Sequence, residues 1–118
     1  MNKQEIIKYC ITLSSTYKDY PFPDDNITVA MKHLENKKWF ALLMEVRGKL
    51  YLNVKTDPNY SELLRNSYDF IIPAYHMNKE HWNTIIIDDK VDVSLVEELI
   101  EQSYELTKNS ICKRKKSK

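Results

Sequence analysis

The chain runs to 118 residues, 42% hydrophobic and 30% charged, with a single glycine and a formal net charge of +1. That length builds one ordinary core without metals or disulfides, that composition excludes a chain too polar to fold, and no apolar run approaches the roughly 20 residues needed to cross a bilayer. The near-neutral total conceals an asymmetry: residues 109–118 hold five basic and no acidic side chains, leaving 13 basic against 17 acidic, a net of −4, in residues 1–108.

The first residues, Met1-Asn2-Lys3-Gln4-Glu5, carry neither the apolar stretch nor the small-residue cleavage site of a signal peptide, so a cytoplasmic location and no membrane partner are expected. From Gln4 to about Tyr17, Ile6, Ile7, Cys10 and Leu13 recur at helical spacing and predict an amphipathic helix that stops before Pro21. Tyr20 to Asn26 reads as a rigid loop. Three strands follow at 27–34, 39–46 and 50–55, joined by connections of hairpin length at 35–38 and 47–49. The lone glycine, Gly48, occupies the tighter connection, where positive φ is most needed. An antiparallel meander results, its middle strand apolar on both faces and therefore the most buried.

Asp57-Pro58 is an N-cap followed by a proline at the first helical position, and Tyr60, Leu63 and Leu64 supply one apolar face, which predicts a helix over about 58–67. Tyr68 to Met77 looks irregular. Asn78 can cap a single turn over Lys79-Glu80-His81-Trp82, and Thr84-Ile85-Ile86-Ile87 is a β-branched strand. Ser94-Leu95-Val96-Glu97 fits a capping box that opens a final helix reaching about Lys108. The expected fold class is α+β: a single small domain at 1–108, in the order α-β-β-β-α-(helical turn)-β-α, with the meander packed against helices. Residues 109–118 read as a basic, disordered tail.

Little in the chain points to catalysis. No G-x-S-x-G, P-loop, H-E-x-x-H or dinucleotide fingerprint occurs, so no catalytic residue is assigned, no cofactor is expected and the protein is not expected to be an enzyme. His76 and His81 lie five apart, about 140° around a helix, whereas zinc-binding pairs need a spacing near three or four; no metal site is assigned. Asp24-Asp25 and Asp88-Asp89 fall in turns, where aspartate serves local hydrogen bonding. Cys10 and Cys112 stand at opposite ends and suggest neither a CxxC site nor a redox pair. Trp82 reads as a core anchor and Asn78 as a cap.

Pro21-Phe22 with Asp24, Leu52-Asn53-Val54-Lys55 followed by Asp57-Pro58, a helix ending in Arg65, and above all Ile72-Pro73-x-Tyr75-His76-Met77-Asn78-Lys79-x-His81-Trp82-Asn83-Thr84 together resemble the MmcQ/YjbR family, across roughly residues 1–108. The resemblance implies a small domain with a fold like that of bacterial frataxin and a family label of DNA-binding protein with a double-wing arrangement. This chain departs from the pattern at three places: Pro23 and Ala74 stand where glycines are usual, and Glu80 stands where a basic residue is common.

The leading expectation is a non-enzymatic protein that binds DNA, in duplex form, mainly through phosphate contacts. The residues assigned are Lys37, Lys38, Arg47, Lys49 and Lys79, with Lys113, Arg114, Lys115 and Lys116 of the tail. The two basic turns close opposite ends of the strand 39–46, so they lie roughly 25 Å apart and cannot grip adjacent phosphates. The alternative is a protein-interaction or small-ligand module whose surface is built from Tyr75, His76, His81 and Trp82. The sequence leaves the oligomeric state open.

Overall fold

The computed structural model describes residues 1–74 and 77–108; Tyr75, His76 and everything from Asn109 onward, including Cys112 and the tail's basic residues, lie outside them. The elements run α1 (Lys3–Ile11), β1 (Thr16–Asp19), β2 (Val29–His33), β3 (Trp39–Val46), β4 (Lys49–Lys55), α2 (Pro58–Ser67), β5 (Ile71–Pro73), β6 (Trp82–Ile87) and α3 (Val93–Thr107). All six strands form one antiparallel sheet in the order β1-β2-β3-β4-β6-β5. The fold is α+β, as the sequence predicts.

Side-chain alternation divides the sheet into two faces. One face presents Val29 and Met31 from β2, Ala41 and Leu43 from β3, Leu52 and Val54 from β4, Ile71 from β5 and Ile85 from β6. These pack in one cluster with Ile6 and Cys10 of α1, Leu64 of α2, and Val96, Leu99, Ile100 and Tyr104 of α3. The three helices therefore share a face. Phe40 is the extra residue of a β-bulge, since Met31 lies opposite Ala41 while Lys32 lies opposite Trp39. The bulge sends both Phe40 and Ala41 into the core, where each is fully buried. The middle strand β3 is closed from Phe40 to Leu43 but open at both ends, so β2, buried at four of its five residues, and not β3 as expected, is the most buried strand.

Four further local expectations are corrected. The first helix ends at Ile11 rather than near Tyr17, because Ser15 turns the chain at φ +58° and Thr16–Asp19 pair with β2 as an edge strand. The segment after Tyr68 is not wholly irregular: Ile71–Pro73 forms a second edge strand on β6, which itself starts at Trp82 rather than Thr84. The cap of α3 is Asp92, whose carboxylate accepts the Ser94 N–H, so Ser94 lies inside the helix. Trp82 is not a core anchor. It is half-buried and, with Thr84 and Ile86, faces away from the helices, because Asn83 and Ile85 occupy the inward positions of β6.

Candidate functional site

The stretch that carries the family resemblance is first of all a joint. Asn78 accepts the Glu80 N–H with its side chain at 3.0 Å, and its carbonyl receives the N–H groups of His81 and Trp82, so the turn over 79–82 is closed by its own cap. Arg65, at the end of α2, grips that turn. Its Nε donates to Asn83 Oδ1 at 2.6 Å, and its Nη2 donates to the carbonyls of Lys79 and, at 3.4 Å, Trp82. Asn83 is 1% exposed; its amide donates to Ser61 Oγ at 2.8 Å and to Thr56 Oγ1, and those two hydroxyls also bond each other. The Thr56 N–H closes the circuit on the His81 carbonyl. Among the described residues no buried side-chain nitrogen or oxygen lacks a partner, which lets so polar a cluster be buried. Ala74, at one of the departures from the family pattern, is fully buried and has no positive φ, so a glycine is not required there.

Of the assigned ligand surface, Tyr75 and His76 lie outside the described residues. His81 and Trp82 are half-buried and contribute backbone groups to the joint. Lys79 is exposed on the turn that Arg65 holds.

The two basic turns are built differently. Arg47 (φ +52°) and Gly48 (φ +79°) form the two-residue hairpin between β3 and β4, with Val46 opposite Lys49. Both central residues are left-handed, the requirement of a hairpin turn that follows strand twist. Beside this turn lie Glu45, Asp88 and Asp89, which share a surface hollow with Lys3 and Lys49. Between β2 and β3, Lys37 takes φ +60° and its N–H bonds the His33 carbonyl, with Lys37 and Lys38 both exposed. Glu35 belongs to the same turn, and Lys108 nearby pairs with Glu105 at 3.9 Å. Asn36 Nδ2 donates to the Thr107 carbonyl at 2.9 Å, fastening this turn to the last residue of α3, next to Lys108.

His33 completes that attachment. It is 4% exposed, lies against the rings of Phe40 and Tyr104 at 5.1 and 4.8 Å, and bonds Thr107 Oγ1 at 2.8 Å. Since the Thr107 hydroxyl gives its proton to the Ser103 carbonyl, it accepts from His33 Nε2–H, which places a proton on Nε2. Burial lowers the His33 pKa, and the nearby Lys108 ammonium adds to the effect.

The sheet face away from the helices carries Trp39, Leu42, Met44 and Val46 along β3. Phe22, from the 20–28 loop, and Met77 join them around a groove of about 620 Å³. Phe22 is 44% exposed and meets Trp39 edge-to-face at 6.4 Å between ring centroids. The groove is held open by its own loop. Asp25 accepts the N–H groups of Ile27 and Thr28 and the Thr28 hydroxyl at 2.6 Å, and these bonds lower its pKa. Nearby, Lys32 pairs with Asp19 at 3.1 Å and stands 5.6 Å over the Tyr17 ring. Sequence patterning predicts β3 but not this groove, because Phe22 and Trp39 meet only once the loop folds back.

The helix side is acidic as well. Glu97, Glu98, Glu101 and Glu105 line the outer surface of α3, with Tyr9 donating to Glu101 and Tyr60 to Glu98. Among the described residues no three His, Cys, Asp or Glu side chains converge as a metal site requires. The assigned aspartate pairs act in turns: Asp88 caps the Lys90 N–H at 2.8 Å as Asp25 caps Ile27.

Comparison with known proteins gives a consistent family. The uncharacterized protein YyaQ of Bacillus subtilis (strain 168) is 35% identical over 118 residues, spanning 92% of this chain and 99% of its own. The uncharacterized protein YjbR of Escherichia coli (strain K12) is 26% identical over 120 residues, spanning 98% and 95%. A crystal structure of a Pseudomonas syringae protein superposes with a TM-score of 0.85 at 32% identity, covering 92% of this chain and all of that one. The YjbR family model matches residues 11–106, a span that holds the sheet, the Arg65–Asn83 joint and the groove, and the chain belongs to the YjbR family.

Proposed function

We propose that this protein binds nucleic acid without catalysis, chiefly through phosphate contacts, and that its main electrostatic foothold is the pole where the β2–β3 turn meets the end of α3. The Asn36–Thr107 bond is the observation that carries this reading. It sets Lys37 and Lys38 beside Lys108, the residue from which the chain continues into Lys113, Arg114, Lys115 and Lys116. Lysines at one pole of an otherwise acidic body attract a polyanion and orient its approach, while the glutamates of α3 repel it from the helix side. Arg47 and Lys49 are secondary in this scheme because Glu45, Asp88 and Asp89 share the hollow beside their turn. Lys79 lies apart on the Arg65-held turn.

Such binding weakens steeply with salt. Fluorescence anisotropy of labelled DNA at low ionic strength tests it directly: the full chain binds, removal of residues 109–118 weakens binding severely, and Lys37→Glu with Lys38→Glu weakens it further while flattening the salt dependence. Absence of binding to duplex and single-stranded DNA alike at low salt would refute it.

A further inference from the structure

The two basic turns cap the two ends of one strand, and the groove runs between them. Lys38 directly precedes Trp39, the first residue of β3; Val46, the last, directly precedes Arg47. Trp39, Leu42, Met44 and Val46 line the groove from end to end, with Phe22 and Met77 on its sides. A duplex fits this arrangement poorly, because its bases are stacked on one another and cannot enter an apolar groove. A single strand presents phosphates and free base faces together.

Resting on the nucleic-acid reading above, we propose that the occupant of this groove is single-stranded nucleic acid laid along β3, its phosphates met by the turns at either end and its bases stacked on Trp39 and Phe22. The eight residues of β3 span about 27 Å at roughly 3.4 Å per residue. That is the reach of on the order of four nucleotides, the lower end of the site sizes of single-strand grooves. The groove's volume, about 620 Å³, falls within the range of roughly 300–1,000 Å³ usual for ligand sites.

Two carboxylates, Asp25 and Glu45, stand in the groove wall, and each is engaged by a local partner. Glu45 borders the groove although it belongs to the inward parity of β3, and its carboxylate lies 3.8 Å from Lys3. Asp25 spends both carboxylate oxygens on its own loop, and Asp19 is paired with Lys32. Lys55 shares the outward parity of its strand, opposite Trp82, and Lys38 and Arg47 adjoin the two ends of β3. Aromatic surface bordered by lysine binds single strands with little sequence preference, since every base has a stacking face.

The test compares one labelled single strand of mixed sequence with the same strand in duplex form, on the full chain at low salt. The single strand binds at least ten-fold tighter, and Trp39→Ala weakens it by roughly ten- to a hundred-fold while leaving duplex binding nearly unchanged. In a Trp82→Phe background, the fluorescence of Trp39 is quenched as the single strand is added. Should Trp39→Ala lose its fold by circular dichroism, Phe22→Ala, an exposed side chain, carries the same expectation. Duplex binding equal to or tighter than single-strand binding, or indifference of the single strand to the aromatic substitution, would overturn the groove assignment and leave the phosphate-binding proposal standing. Binding of neither form would end both.

Discussion

Replacing Asn83 by alanine tests whether the family's longest motif is a structural joint. Its amide stands at the centre of a buried circuit, donating to the Thr56 and Ser61 hydroxyls and accepting from the Arg65 guanidinium at 2.6 Å. The two hydroxyls keep each other, and Arg65 keeps the carbonyls of Lys79 and Trp82, so the loss is partial. One charge-assisted bond at about 1.5–3 kcal/mol and two neutral ones at about 1 kcal/mol each, less what the survivors recover, give a destabilisation of about 3 kcal/mol. That is a large share of the 5–15 kcal/mol total stability usual for a domain. Urea unfolding followed by circular dichroism should show a midpoint lower by roughly 1–2 M with an unchanged slope. Leu63→Ala, at an exposed helix position, is the control and should shift stability by no more than about 0.5 kcal/mol. A loss below about 1 kcal/mol for Asn83→Ala would mean that the circuit contributes little and that the motif needs another explanation.

Three further outcomes follow from particular residues. Burial holds the folded-state pKa of His33 below its ordinary 6.5, so its stabilising contribution is full above that value and is lost as pH falls from there toward the folded pKa. Thermal melts between pH 8 and 5 should show this decline, and His33→Gln should lessen its slope; equal slopes in the two proteins would contradict the assignment. Gly48→Ala places a side chain at φ +79° with no atom within 4 Å of the new Cβ, so the cost is backbone strain alone, about 1 kcal/mol by chemical denaturation. In a Cys112→Ser protein, Cys10 is fully buried and its thiol pKa is pushed up to about 12 by desolvation, so a thiol reagent at pH 8 should label it only as urea unfolds the chain. Rapid stoichiometric labelling of the native protein would refute that placement.

Where local chemistry dictates geometry, the sequence was legible. Asp57-Pro58 opens α2 where the cap and the proline require it, β3 spans the apolar run 39–46, and the one glycine sits in the left-handed hairpin position. The Asn78 cap closes its predicted turn. These depend on a few neighbouring residues. The edge strands β1 and β5 do not, since four and three residues gain strand form only by pairing with β2 and β6. Asp92 displaced Ser94 as the cap of α3 because both residue types can accept the orphan N–H groups, and packing chose the register.

The sequence by itself determined the fold class, the middle strand, the asymmetric charge and, through residues 72–84, the family. It also supplied the basic residues proposed to meet phosphate, apart from Lys108. Tertiary structure decided where those residues stand. The Lys37–Lys38 turn meets the end of α3 because Asn36 reaches Thr107 across 71 positions of chain. Phe22 faces Trp39 because a loop folds over the sheet, and Trp82 faces outward because Asn83 is held inward by α2. Each is a contact between residues distant in sequence, formed only when the whole core closes, and no local pattern of spacing or propensity encodes it.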